Sequence, residues 1–303
     1  MKQKSFSLNR GYTVFLIPGL VLFLLIVIIP FLINIGVSFT RWSGVGTPVW
    51  VGLANYQKAA ADTVFWASFK NNITLILAMT VTPTLIGLVL AVVLFDYVAR
   101  KFGKSVAGFF RAGFYLPQVL PAAMAGIVWG WILFPTDAGS LNWLLKSLGI
   151  VAEPVNWLGD FSTAMISVMV IMVWFQIGYP LVIFMAGLQR VDPELSEAAE
   201  IDGASWFQRF FSVTIPQLRP EIFVVVLTTM IHALKVFGQI FVLTRGGPGS
   251  ATMVASYFAY KNFFEISNVG YGSTIATILT LIIVVITVVY IRVQARQEPQ
   301  ESL

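Results

Sequence analysis

The chain has 303 residues, of which 57% are hydrophobic and 11% charged, with 19 Lys and Arg against 14 Asp and Glu. A soluble domain carries about a quarter charged residues, so this chain cannot cover a soluble surface, and its mean hydropathy of +0.83 points the same way. The apolar content excludes disorder, and the absence of Cys excludes a disulfide scaffold and thiol chemistry.

An α-helix crosses the hydrocarbon core with about 20 apolar residues. Six stretches qualify: residues 13–37, 71–95, 113–134, 161–187, 221–243 and 268–291. Their continuous apolar character suits helices rather than the alternation of barrel strands. The expected fold class is an all-α integral membrane protein of six transmembrane helices, with 1–303 as one transmembrane domain. Only Glu221, at an edge, and Lys235, deep in the fifth stretch, bring charge inside these segments.

The first stretch follows Lys2, Lys4 and Arg10. It is too long for the apolar part of a signal peptide and leads to Arg41–Trp42 rather than a cleavage site, so it reads as an uncleaved helix. Placing both termini inside puts twelve basic residues in segments 1–12, 96–112, 188–220 and 292–303, against six in 38–70, 135–160 and 244–267. That bias predicts an N-in, C-in topology. The net charge of +5 then reflects topology, not nucleic-acid binding.

Prolines fall inside several stretches: Pro18, Pro30, Pro83, Pro117, Pro121 and Pro180. Each removes a backbone bond and kinks its helix, which suits either ordinary bundle packing or a bundle that changes shape. Polar residues inside spans are more informative, because they are costly in lipid and usually face a cavity. The fourth stretch carries Trp174, Gln176, Gly178, Tyr179 and Pro180; the fifth carries His232, Lys235 and Gln239. Spacings of three and four put the last three on one helical face. They form a candidate path for a polar solute, with amides and an ammonium for hydroxyls and aromatics for apolar faces. For His232, an interhelical hydrogen bond is the competing role. The metal reading fails, since one His and no Cys build no typical zinc site.

Segment 188–220 differs from the rest. Asp192 followed by Pro193 and Glu194 is a helix start, and Gly203 supplies a left-handed stop after Ile201. Trp206, Phe207, Phe210 and Phe211 form a second stretch, expected along the bundle or the membrane interface. Pro216 and Pro220 end it. The short acidic helix is either a knob that fits a partner's groove or a solvated connection.

Glu197-Ala198-Ala199, three residues, Gly203, nine residues and Val213-Thr214-Ile215-Pro216 resemble the EAA loop of binding-protein-dependent ABC importer permeases. The family pattern is E-A-A-x3-G-x9-I-x-L-P, with Val213 and Ile215 as the two departures. The likeness extends through Leu16-Ile17-Pro18, Val51-Gly52-Leu53-Ala54-Asn55-Tyr56, Ala186-Gly187-Leu188-Gln189 and Phe237 to Pro248, and is to the carbohydrate-uptake, maltose and glycerol-3-phosphate, branch. It implies a type I importer permease bundle in a bacterial or archaeal inner membrane. It marks Glu197, Ala198, Ala199, Asp202 and Gly203 as the coupling helix that docks on an ATPase. It marks Trp174 to Tyr179 and Ala233 to Gln239 as sugar-facing, hence Trp174, Gln176, Tyr179, Lys235 and Gln239. The implied partners are a second homologous permease, a dimer of ATP-binding subunits, an extracytoplasmic solute-binding protein, which the Gly246-Gly247-Pro248-Gly249 turn would meet, the sugar, and membrane lipid.

Gly103-Lys104-Ser105 is a near miss to a phosphate-binding loop, but Val98 stands where its first Gly belongs. No cofactor is therefore expected on this chain, ATP and Mg being held by the partner ATPase, and no enzyme activity. A stand-alone carrier and a membrane enzyme using Lys235 and His232 are the competing classes. The threefold repeat of metabolite carriers is missing, and no spacing supports a nucleophilic triad.

Overall fold

The computed structural model describes residues 10–297. Five helices among them are long and apolar enough to cross a membrane: Phe15–Ser38, Thr63–Phe102, Ala164–Leu188, Arg219–Leu243 and Val269–Arg296. The remaining apolar stretch is a bent pair, Lys104–Val119 and Ala122–Ile132, meeting at 98°. It makes a sixth crossing only if the pair counts as one span. The bend has a local cause: Leu120 precedes Pro121, whose ring drives it out of the helical region to ψ 136°.

The second span also departs from expectation. Its apolar part is residues 71–95, but the helix runs for 40 residues, about 60 Å at the usual rise. The hydrocarbon core is about 30 Å thick, so the polar ends of this helix lie beyond it.

Three of the prolines come with a widened turn. The π-helical segments Leu24–Ile28, Leu77–Val81 and Phe210–Thr214 lie just before Pro30, Pro83 and Pro216. A helical proline clashes with the carbonyl four residues back, here that of Ile26, Met79 or Ser212, at the middle of each segment. Shifting to i→i+5 bonding moves that carbonyl aside while the helix continues.

The described chain forms two compact units. One comprises residues 10–61 and 259–278. In it, Asn34 donates to the Thr277 hydroxyl at 3.0 Å, and Asn55 donates to the carbonyls of Ser38 and Thr40. A small antiparallel pairing of Thr40–Arg41 with Val49–Trp50 lies between its helices. The other unit comprises residues 62–258 and 279–297. Its core joins Leu88 and Ala91 of the second span, Leu181 and Phe184 of the fourth, and Leu218 and Val225 around the start of the fifth. Backbones approach closely where glycine allows: a Cβ at Gly178 would lie 2.5 Å from the Phe114 carbonyl, the small-residue packing usual between membrane helices.

Candidate functional site

Two sites emerge, both within the larger unit. The first is the 188–220 loop. Asp192 caps the helix Pro193–Ile201 by accepting the Glu194 N–H at 2.9 Å, with Pro193 in the first turn. Gly203 takes the left-handed conformation, φ +81°, that ends the helix. The chain then restarts with a capping box between Ser205 and Gln208. Arg209 pairs with Glu200 and ties the two short helices together. At the base, Arg190 pairs with the buried Glu221, and the Gln217 amide oxygen accepts the Asp192 N–H at 3.0 Å. The ion pair accounts for the charge at the edge of the fifth span. Gly187 makes it fit, since a Cβ there would lie 2.8 Å from the Glu221 side chain.

Glu197, Ala198, Asp202 and Gly203 are exposed on this knob and Ala199 is half-buried. Leu195 and Ile201 are exposed beside them, Ile201 to 87%. Of the aromatic stretch, Phe210 packs on the core, while Trp206, Phe207 and Phe211 remain exposed. A cavity of about 460 Å³ beneath the knob is walled by Asp96 and Arg100 of the second span and by Glu200 and Arg209 of the loop.

The second site lies at an interruption in the fifth span. Helix Arg219–Leu234 stops, residues 235–237 are unwound, and Gly238–Leu243 resumes. Beside this break is a cavity of about 370 Å³ bordered by Gln118, Gln176, His232, Lys235, Phe237 and Gln239. Gln176 is buried to 2% exposure, and neither its Nε2 nor the buried Oε1 of Gln118 has a hydrogen-bond partner within the described chain. Lys235 has no ion-pair partner among the described residues, and no carboxylate borders the cavity. The site thus offers an ammonium and incompletely bonded amides, groups suited to hydroxyls.

Of the residues singled out in the sequence, Gln176, Lys235 and Gln239 meet here, with His232. They do so across a broken helix rather than along one continuous face. Trp174 and Tyr179 do not border this cavity. Trp174 stands two positions from Gln176, hence on the far side of its helix, where it packs edge-on to Trp129 at 5.5 Å and borders an apolar cavity with Phe110 and Phe114. Tyr179 follows a turn at Ile177 and packs against the core. Gln118 went unnoticed in the sequence. Its signal was a lone amide in an apolar stretch beside Pro117, two positions from the bend.

Residues 84–302 match the family described as binding-protein-dependent transport system inner membrane component. A probable ABC transporter permease protein of Pyrococcus horikoshii is 36% identical over 279 residues, covering 92% of this chain and 93% of the relative. A trehalose/maltose transport system permease protein of Thermococcus litoralis is 35% identical over 243 residues, 80% of this chain and 79% of the relative. Among solved structures, a bacterial ABC transporter involved in the import of the acidic polysaccharide alginate superposes with a TM-score of 0.79 at 21% identity, covering 95% of this chain and 96% of that one. The family match and the two relatives settle the family. The chain belongs to the binding-protein-dependent transport system inner membrane components, and is a multi-pass permease subunit of an ABC importer rather than an enzyme.

Proposed function

We propose that this permease forms half of the translocation path of an ATP-driven sugar importer. The observation that carries the reading is the meeting of Gln118, Gln176, Lys235 and Gln239 around one cavity at the break in the fifth span. Hydroxyls of a sugar complete the open donors and acceptors of the amides, and Phe237 offers a ring to an apolar sugar face. Relatives named as sugar permeases, the trehalose/maltose protein and a multiple sugar-binding transport system permease protein of Streptococcus mutans, support the substrate class. A neutral oligosaccharide is the preferred substrate, with Lys235 bonding hydroxyls.

In this reading the termini and the 188–220 loop lie in the cytoplasm. Helix Pro193–Ile201 docks in a groove of an ATP-binding subunit, presenting Glu197, Ala198, Ala199, Asp202 and Gly203, with Leu195 and Ile201 as apolar contacts. A second, homologous permease completes the path, two ATP-binding subunits supply ATP and Mg chemistry, and an extracytoplasmic solute-binding protein delivers the sugar. Closure of the ATPase dimer moves the knobs and switches access across the bundle, and no cofactor resides on this chain.

The test is a reconstituted complete importer. Lys235→Met and Gln239→Ala lower sugar uptake at least about tenfold, while Glu197→Lys and Gly203→Pro abolish both uptake and the ATP hydrolysis that loaded binding protein stimulates. Normal uptake in the first pair removes the path assignment; normal stimulation in the second removes the docking assignment.

A further inference from the structure

The interruption of the fifth span is held from the second. Asn72 lies in the apolar part of the second span with 0% exposure. Its amide nitrogen donates to the carbonyls of Ala233, at 3.0 Å, and Leu234, at 3.2 Å. In an unbroken helix those carbonyls accept the N–H groups of residues 237 and 238. The helix ends at Leu234, and one side chain supplies both donors instead. Its oxygen serves a second helix end: it accepts the N–H of Ala255 at 2.9 Å, at the start of helix Ala255–Tyr260, where first-turn N–H groups lack intrahelical acceptors.

Neighbouring groups fix the same region. The Ser256 hydroxyl donates to the Val236 carbonyl inside the break. Asn71 donates to the carbonyls of Ser250, at 3.1 Å, and Met253, at 2.9 Å, on the segment that leads out of the fifth span. An asparagine that merely filled space between helices has no need of three hydrogen bonds to two helix ends. This one replaces the bonds that the break removes.

We propose that Asn72 is a positioning residue for transport: it holds the fifth span unwound over residues 235–237 and so sets where Lys235 and Gln239 stand in the cavity. The inference rests on reading that cavity as the translocation path. Without the two donors, the carbonyls of Ala233 and Leu234 draw their bonds from residues 237 and 238, and the break rewinds.

The experiment uses the complete importer in proteoliposomes with Asn72→Leu, of similar volume but without hydrogen bonds, Asn72→Asp, of the same shape but unable to donate, and Asn72→Gln, which restores the donors. Hydrogen–deuterium exchange of the peptide covering 233–243 reports the break, and the concentration dependence of uptake reports its consequence. Exchange is expected to slow about tenfold in the Leu and Asp variants, and the half-saturating sugar concentration to rise at least about tenfold. Asn72→Gln recovers most of both. Should Leu and Asp prevent assembly, Asn72→Ser, smaller and with one donor, carries the same expectation in weaker form. Unchanged exchange in an assembled variant overturns the clasp. Slower exchange with unchanged uptake overturns its role in transport, while Lys235→Met separately decides whether the cavity is the path.

Discussion

Hydrogen-bond completeness separates two kinds of polar side chain inside the bilayer-length helices. Asn72, Ser68 and Thr229 are buried, each donating to a backbone carbonyl, and Asn72 also accepts a backbone N–H, as a buried polar group requires. Gln118 and Gln176 have amide atoms left open, and they share a cavity with Lys235. Thr80 and Thr84 also lack partners among the described residues. The residue types alone could not sort these groups, because the partners of Asn72 lie far along the chain. Asn142 repeats the lesson outside the spans. It is fully buried, donates to the carbonyls of Phe134 and Val155, and accepts from Val155 N–H and the Trp157 indole. Asn142→Ala orphans several of these groups at about 1–3 kcal/mol each. The expected result is a lower unfolding temperature of the purified importer and a change in Trp157 emission; an unchanged melting curve contradicts it.

What was legible at the scale of elements follows from how local each cause is. The knob helix was readable to the residue: Asp192, Pro193 and Gly203 act on their own neighbours, and the structure has the helix between them. Changing Gly203 to Ala forces a Cβ into φ +81°, a conformation costing roughly 1–2 kcal/mol. The expected outcome is weaker stimulation of ATP hydrolysis with normal amounts of permease in the membrane, and full stimulation contradicts it. The bend at Pro121 was also local, and the proline announced a kink there, but its size of 98° was not legible, since hydropathy over 113–134 does not register backbone direction. The break at 235–237 was not legible at all. Spacings of three and four among His232, Lys235 and Gln239 describe a continuous stripe, and the unwinding is imposed by a side chain from another span. Widened turns before Pro30, Pro83 and Pro216 belong between these cases: the prolines announce a distortion but not its kind.

At the scale of the molecule, composition and span lengths were enough for an all-α membrane protein, while the permease bundle was read from the resemblance of the 188–220 loop; the fold agrees with a solved importer at a TM-score of 0.79. Orientation is open to a direct check because the chain contains no Cys. Trp143→Cys and Ala198→Cys both create exposed single thiols. In intact cells a membrane-impermeant maleimide is expected to label residue 143 and to reach residue 198 only after permeabilisation; the reverse pattern inverts the assigned topology.

The clasp on the fifth span bears on how the chain enters the bilayer. Backbone groups left open in lipid cost several kcal/mol each, so a helix interrupted mid-span is not a stable insertion unit by itself. Asn72 precedes the carbonyls it serves by 161 and 162 residues. During synthesis the second span is therefore already in the membrane when the fifth emerges, and the donors needed for the interruption are waiting. Chain order matches the order of dependence, and a permutation that placed the fifth span ahead of the second would require it to insert unbroken and unwind afterwards.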